Sequence, residues 1–335
     1  MTHSATTERA ASQRPARAWA DQLQSFGPAA ALLILVVAFA ALSPQFRTIG
    51  NLQNVLDSAA VLAVVTVGTT FVLLLGSIDL SATGVMAACA MAVALLVSNN
   101  RNESDLGLLG VGVAVALGGG FGLLSGALSV WLKVPSFMTT LGVSAIGIGI
   151  ATVLFAGVQP TVSDDWLLRW STGRLLGFTH VTFIALACVT IAWLVQRYTR
   201  LGRYSMAIGG GEDILRLSGI KVGLYKVLAF GAAGACYGLA AVMATSQLAS
   251  GIVQVGAGFS FAAITAAVVG GTQLAGGRGG VLHSMVGVLI LTVLANGLVL
   301  IGVSPYVQRA VQGVIVVFAV GATLWPLRKR LEVVK

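Results

Sequence analysis

The feature that most constrains this chain is the length of its uncharged apolar runs. No Asp, Glu, Lys or Arg occurs between Val227 and Gly277, a stretch about twice the ~20 residues that cross a bilayer core as a helix. The chain is 57% hydrophobic and only 9% charged, and its mean hydropathy is +0.92. Because the runs lack the alternation of β-barrel strands, they predict an integral membrane protein built of helices.

The uncharged runs, taken as units, predict about ten transmembrane helices. Their bounds are near 27–43, 58–78, 80–98, 106–131, 136–157, 178–196, 222–246, 258–276, 279–301 and 308–326. Only Asp79 and a few small residues divide the second span from the third, and the run after Lys226 must turn between Gln247 and Gly258. We therefore predict an all-α, polytopic membrane fold. It has one transmembrane domain at 23–327, a flexible cytoplasmic tail at 1–22 and a basic cytoplasmic tail at 328–335.

The distribution of positive charge predicts that both termini lie in the cytoplasm. With ten spans and the N-terminus inside, 15 of the 20 Lys and Arg residues fall inside and 5 outside, namely Arg47, Arg101, Arg169, Arg174 and Arg309. Positively charged loops are held on the cytoplasmic side. This topology accounts for the formal net charge of +9, so we expect no nucleic-acid partner.

Sequence motifs for catalysis are absent. The chain has no G-x-x-x-x-G-K-[ST] phosphate loop, no H-E-x-x-H and no G-x-S-x-G. The three cysteines lie in predicted spans without a C-x-x-C pair, which predicts a packing role. We expect no catalytic residue, and no metal ion or cofactor bound by this chain.

Glycines spaced by four residues predict close helix contacts. Gly118, Gly122 and Gly126 repeat in this way, as do Gly234 and Gly238. Small residues at this spacing let helix backbones approach each other in a membrane.

Ionisable residues within the apolar part are few. Asp57, Asp79 and His283 are the candidates, and each falls near a predicted span end. Asp57 is typical of a helix start and His283 of a membrane interface, so only Asp79 is a candidate for transport chemistry. An ion-coupled secondary transporter remains the alternative, although its carboxylates should lie at the membrane midplane. An intramembrane enzyme is disfavoured because paired His, Asp or Glu residues are lacking.

Two polar stretches interrupt the first half of the chain. The stretch "LLLGSIDLSATG", from Leu73 to Gly84, predicts either a helix that breaks and restarts with Asp79 or Ser81 as the N-cap, or an ordinary cytoplasmic turn. The stretch "LKVPSFMTTLG", from Leu132 to Gly142, has an aromatic ring, Phe137, and two hydroxyls, Thr139 and Thr140. A sugar could stack its C–H face on the ring and hydrogen-bond to the hydroxyls. Helix initiation by Pro135 with Ser136 as the cap explains the same residues.

Two further stretches interrupt the second half. "GGTQLAGGRGG", 270–280, has six glycines in eleven residues, which predicts a tight helix–loop–helix re-entry. In the charged stretch 197–226, three glycines end one element and a short helix follows. Its acids lie at the helix start, where the dipole favours them. Its apolar side, Ile214, Leu215 and Leu217, implies a partner.

Together these stretches resemble the permease subunits of sugar ABC importers of the ribose type. The resemblance covers nearly the whole chain and rests on four motifs in the right order. They are "GSIDLS" at 76–81; Pro135, Ser136, Phe137, Thr140, Leu141 and Gly142; Gly202, Arg203, Ala207, Gly209, Gly210, Ser218, Gly219 and Ile220; and the run from Ile264 to Gly279. Two positions depart from the family pattern. Gly211 to Leu215 stands where relatives have Asn, two acids and two alanines, and Ala82-Thr83 stands where they have Val-Gly.

The resemblance implies a type II importer-like permease in the bacterial inner membrane, with no enzymatic activity of its own. It implies a second permease chain, identical or not, a periplasmic sugar-binding protein outside and a separate ATPase inside that uses ATP. The residues expected to contact the ATPase are Gly211, Glu212, Asp213, Ile214, Leu215, Arg216, Leu217 and Gly219.

The translocation path is expected to be lined by polar or aromatic residues. Polar groups inside apolar spans are costly and are usually retained for function. We therefore predict as path residues Asp79, Phe137, Thr140, Gln247 and Asn296.

Overall fold

The computed structural model describes residues 27–304 together with 307, 308, 310, 311, 313 and 314. The predicted tails at 1–22 and 328–335 and most of the predicted span 308–326 lie outside the described residues.

The described residues form an almost entirely helical structure. The helices are α1 (Gly27–Leu42), α2 (Ile49–Leu74), α3 (Ala82–Leu96), α4 (Leu108–Trp131), α5 (Ser136–Phe155), α6 (Asp165–Thr172), α7 (His180–Tyr198), α8 (Arg200–Leu217), α9 (Val222–Leu248), α10 (Phe259–Val269) and α11 (Val281–Leu300). A 3-10 helix, Pro44–Arg47, precedes α2. A two-stranded antiparallel hairpin, β1 (Arg174–Leu175) and β2 (Phe178–Thr179), precedes α7.

Six of the described helices are long and apolar enough to cross a membrane, namely α2, α4, α5, α7, α9 and α11. They confirm a multi-pass membrane protein. Three more predicted spans correspond to the shorter apolar helices α1, α3 and α10. The count of about ten spans stays a prediction. The predicted turn between Gln247 and Gly258 is confirmed, because α9 ends at Leu248 and α10 begins at Phe259.

The core is built around α2, α3 and α9. These helices are rich in Ala, Val and Gly, and 11 of the 15 residues of α3 are buried. In contrast, only three residues of the outer helix α7 are buried. Small side chains allow the inner helices to approach each other closely, and the outer helices keep the larger apolar residues exposed.

The predicted glycine packing is confirmed between α4 and α9. A Cβ at Gly122 would lie 2.1 Å from the carbonyl oxygen of Phe230, and a Cβ at Gly118 would lie 2.4 Å from that of Gly234. In the reverse direction, a Cβ at Gly234 would lie 2.1 Å from the Gly118 oxygen. The two backbones are in contact, so no larger residue fits at these positions without moving a helix.

Asp57 lies at the end of the molecule opposite the α2–α3 connection. Its Oδ1 accepts hydrogen bonds from the peptide N–H of Thr179, at 3.2 Å, and from the hydroxyls of Thr179 and Thr182. The prediction of a helix-start role was wrong, because Asp57 lies in the third turn of α2 and ties that helix to the start of α7.

Candidate coupling and translocation site

The connection between α2 and α3 is a non-helical segment, which we call the break; it agrees with both predicted forms, a helix break and a cytoplasmic turn. Residues 75–81 leave the helix, and Gly76 has φ +73, which favours glycine. The freed peptide N–H groups find partners on α5. That of Ile78 donates to Ser136 Oγ at 3.0 Å, and that of Leu80 donates to Thr140 Oγ1 at 3.1 Å. Hydroxyl groups from the stretch 132–142 therefore satisfy the peptide N–H groups of the stretch 73–84. Non-helical backbone in a membrane protein requires such partners.

The predicted caps are corrected by this arrangement. Pro135, not Ser136, is the N-cap of α5, and no side chain caps that helix. Ser136 makes its hydroxyl available to the neighbouring break. Ser81 occupies the N-cap position of α3 but makes no capping bond. Its hydroxyl donates to Asp79 instead.

Asp79 is completely buried, and both of its carboxylate oxygens accept hydrogen bonds. Its Oδ1 accepts from the peptide N–H of Ser81 at 2.8 Å and from the Ser81 hydroxyl at 2.6 Å. Its Oδ2 accepts from the Tyr237 hydroxyl of α9 at 3.0 Å, and Tyr237 is also 3.2 Å from the Thr69 hydroxyl of α2. Asp79 thus links the break to α2 and α9. Tyr237 is not among the residues predicted from the sequence, where its only signal is a phenol within a glycine-rich apolar span.

The glycine-rich loop at 270–280 packs against the same break. Gly276 and Gly277 have φ of +84 and +75. A Cβ at Gly276 would lie 2.5 Å from the Gly76 nitrogen, and the peptide N–H of Gly277 donates to the Leu74 oxygen at 3.0 Å. Gly209 of α8 packs against the same segment, since a Cβ added at this position would lie 2.1 Å from the Leu74 carbonyl oxygen. The predicted helix–loop–helix form is confirmed, and its glycines serve close backbone contact.

The segment 211–219 projects from this cluster. Gly211 has non-helical dihedrals, φ 172 and ψ 81, and separates a short helical piece from the rest of α8. Gly219, with φ +77, follows the end of that piece. The short helix expected after the three glycines is confirmed.

Glu212 forms one ion pair within the segment and a second that holds the segment to the start of α9. Glu212 Oε1 lies 2.6 Å from Arg216 Nη2, and Glu212 Oε2 lies 2.6 Å from Lys226 Nζ. Partial burial alone would raise the pKa of the Glu212 carboxyl, but hydrogen bonds and charges from Lys226 and Arg216 outweigh it. The pKa of Glu212 is lowered from its ordinary 4.5.

The apolar side of the segment differs from the expectation. Ile214 and Leu217 are 71% and 89% exposed. Leu215 is half-buried and packs on the core cluster that contains Phe71 and Val222. Of the three predicted apolar contacts, Ile214 and Leu217 are therefore open to a partner, whereas Leu215 also packs on this chain's own core; contact of the three with a partner stays a prediction.

The predicted path residues divide into two groups. Asp79 and Thr140 belong to the cluster around the break, and exposed Phe137 lies beside it on a cavity shared with Gly76. Gln247 is exposed at the far end of α9. Asn296 exchanges two amide hydrogen bonds, of 3.0 and 2.9 Å, with one residue of α2, Asn51. The structure therefore does not bring Gln247 and Asn296 to the break.

Within the described residues, no group of three or more His, Cys, Asp or Glu side chains is placed to hold a metal ion.

The apolar helices and the broken, glycine-rich junction define a multi-pass membrane protein with several irregular segments packed at one end. The chain belongs to the family described as branched-chain amino acid transport system / permease component, and the match covers residues 51–320.

The relatives are import permeases, which are translocation components and not enzymes. The ribose import permease RbsC of Escherichia coli K12 is 35% identical over 91% of this chain and 94% of its own length. RbsC of Bacillus subtilis is 34% identical over 89% of this chain and 92% of its own. The galactose/methyl galactoside import permease MglC of Escherichia coli K12 is 31% identical, covering 86% and 90%. No solved structure matches this chain.

Proposed function

We propose that this chain is the permease subunit of an ATP-driven importer that carries a sugar or a related polyol across the bacterial inner membrane. The ribose and galactose permeases support a sugar substrate, because they match 91% and 86% of this chain. ATP would be hydrolysed by a separate subunit. An identical or related second permease chain and a periplasmic binding protein would complete the importer.

The observation that carries the proposal is the meeting of all four sequence motifs at one end of the molecule. The break after α2, the start of α5, the loop 270–280 and α8 contact one another through backbone and hydroxyl groups. The 211–219 segment projects from this junction and exposes Ile214 and Leu217. Two exposed apolar residues on a short helix suit insertion into a partner's groove.

The charge distribution supports placing this end in the cytoplasm. Loops and helix ends on this side carry eight described cationic residues, namely Lys133, Arg197, Arg200, Arg203, Arg216, Lys221, Lys226 and Arg278. The opposite side carries four, Arg47, Arg101, Arg169 and Arg174. The positive-inside rule then places both termini inside when ten spans are counted.

The contacts provide a route for coupling. A partner that moves the 211–219 segment pulls on α9 through Glu212 and Lys226. Helix α9 carries Tyr237, which is bonded to Asp79 in the break before α3. A rigid helix between two polar contacts transmits displacement into the inner bundle, as rocking transport models require. Phe137 and Thr140, beside the break, would then line the path.

Sugar uptake by proteoliposomes that contain the permease, its ATPase and its binding protein tests the function. Uptake that stops without ATP and survives collapse of ion gradients supports the importer. Uptake that follows an ion gradient without ATP would instead support an ion-coupled transporter.

Two substitutions test the segment within that assay. Leu217→Asp should leave the chain inserted and abolish ATP-coupled uptake, since a charge would enter an apolar contact. Ser218→Ala, at an exposed position of the same segment that is not among the expected ATPase contacts, is the control and should transport normally. Normal uptake by Leu217→Asp would contradict the assigned role. Labelling of a Leu217→Cys thiol from outside intact cells would contradict the orientation.

A further inference from the structure

A cavity of about 510 Å³ opens beside the 211–219 segment. Four parts of the chain form its walls: the break after α2, the connection from α4 to α5, the 211–219 segment and the start of α9. Three basic residues, Lys133, Arg216 and Lys226, line it together with Ser136.

The charges around the cavity do not balance. No Asp or Glu of the described residues lines it. Glu212 is paired with both Arg216 and Lys226, at 2.6 Å each, so one negative charge stands against three positive ones. Lys133 makes no ion pair with any described residue. The cavity therefore carries an excess of positive charge and favours an anion with several acceptor oxygens.

Exposed apolar residues flank this cationic cavity. Trp131 and Leu132 directly precede Lys133 and are 77% and 64% exposed. Leu224, next to the lining residue Gly223, is also exposed. An indole at a helix end beside basic residues is typical of the membrane–water boundary. The surface thus offers a polar cationic part and an apolar part side by side.

We propose that the cavity binds the phosphate headgroup of an anionic phospholipid, with the acyl chains lying along Leu132 and Leu224. Lys133 and Arg216 supply the donors for the phosphate oxygens. A free phosphate ion would meet the same cations but would leave the flanking apolar surface unused, so the combination favours a lipid. The cavity shares Phe137 with the proposed sugar path, but its proposed ligand is a lipid and not the imported sugar, so the inference goes beyond the proposed transport function.

Native mass spectrometry of the purified full-length chain tests the site. Phosphatidylglycerol and phosphatidylcholine with the same acyl chains are added in turn, and the retained lipid is measured. Lys133 has φ +56, a conformation that glycine adopts more readily, so Lys133→Gly removes the amine without straining the fold. It should weaken phosphatidylglycerol retention about fivefold, since a basic residue near an anionic lipid surface contributes about 1 kcal/mol.

Two controls sharpen the result. Lys133→Arg keeps the charge and should retain phosphatidylglycerol. Lys221→Gly removes a nearby exposed lysine that does not line the cavity, and should have no effect. Phosphatidylcholine retention should be weaker in the unmodified chain and unaffected by any of the variants.

Three outcomes would overturn the proposal. Equal retention of the two lipids by the unmodified chain would show a nonspecific lipid layer. Unchanged phosphatidylglycerol retention in Lys133→Gly would remove the lysine from the site. Displacement of phosphatidylglycerol by inorganic phosphate would identify a free anion as the ligand.

Discussion

Asp79 and Glu212 are two carboxylates that are both bonded to α9, but they lie in opposite surroundings. Asp79 is fully buried and accepts hydrogen bonds from Ser81 and Tyr237, which are uncharged donors. Glu212 keeps 29% of its side chain exposed and pairs with two cations, Arg216 and Lys226.

The two junctions differ in how much free energy it costs to break their contacts. A buried carboxylate that loses a donor leaves unsatisfied polar groups in a low-dielectric interior, so its contacts are costly to break. A half-exposed ion pair exchanges its partner for water at small cost. The Asp79 junction is therefore expected to contribute more to stability. The Glu212 junction contributes less, and its ion pair with Lys226 is the contact through which movement of the 211–219 segment would reach α9.

Removing the buried carboxylate should have the largest effect. Asp79→Ala leaves the Tyr237 hydroxyl and both Ser81 donors without their acceptor, and each unsatisfied buried group costs about 1–3 kcal/mol. We expect a loss of about 3 kcal/mol or more in the free energy of unfolding. Thermal unfolding in detergent, followed by the reactivity of the fully buried Cys89 thiol, measures it. A melting temperature like that of the unmodified chain would show that Asp79 is not structural.

Removing one donor should have an intermediate effect. Tyr237→Phe deletes the hydroxyl that bonds Asp79 and approaches Thr69, and we expect a cost of about 1–2 kcal/mol. Tyr225→Phe is the matched control, because Tyr225 packs on the Tyr204 ring and its hydroxyl bonds no other described residue. Similar melting temperatures for the two variants would contradict the role of Tyr237 as a link between α9 and the break.

Much of the fold and part of the candidate site could be predicted from the sequence. The apolar runs predict the long helices, and the four-residue glycine spacing predicts the α4–α9 contact found at Gly118, Gly122 and Gly234. Local composition also predicts an interruption around Asp79, as a helix break or a turn, and the short helix after Gly211. These features depend on residues close together in the chain, or on a spacing that one helix repeats.

The partners of the polar groups could not be predicted in the same way. Asp79 pairs with Tyr237 across 158 positions, and Asn296 with Asn51 across 245. A polar residue in an apolar span shows that it needs a partner but does not say which one. For this reason Asn296 was interpreted as a path residue, although an amide on α2 satisfies it. In the same way, the packing of Leu215 on the core cluster that contains Phe71 joins parts that are far apart in the chain and could not be predicted from the short helix alone.

Breaking the Glu212 junction should have a small effect on stability and a larger one on transport. Glu212→Gln removes the charge that pairs with Arg216 and Lys226, and ion pairs that water still reaches contribute about 1 kcal/mol. We expect a nearly unchanged melting temperature and reduced ATP-coupled uptake. The double variant Glu212→Lys, Lys226→Glu restores one pair in reverse and should recover part of the uptake. Equal uptake by Glu212→Gln and the unmodified chain would remove the pair from the coupling route.

The smallest expected effect is the pH dependence of the same junction. Because the folded-state pKa of Glu212 is lowered from 4.5, its contribution is fully present above that ordinary value. It is lost as the pH falls through the lower folded-state pKa. The melting temperature of the unmodified chain should therefore exceed that of Glu212→Gln slightly at about pH 6, and the two should converge as the pH falls below the lowered folded-state pKa of Glu212. Asp213→Asn should not reproduce the difference, because Asp213 forms no ion pair with a described residue. A gap that widens on acidification would mean that the ion pairs do not stabilise the charged carboxylate, and the contrast with Asp79 would then rest on burial alone.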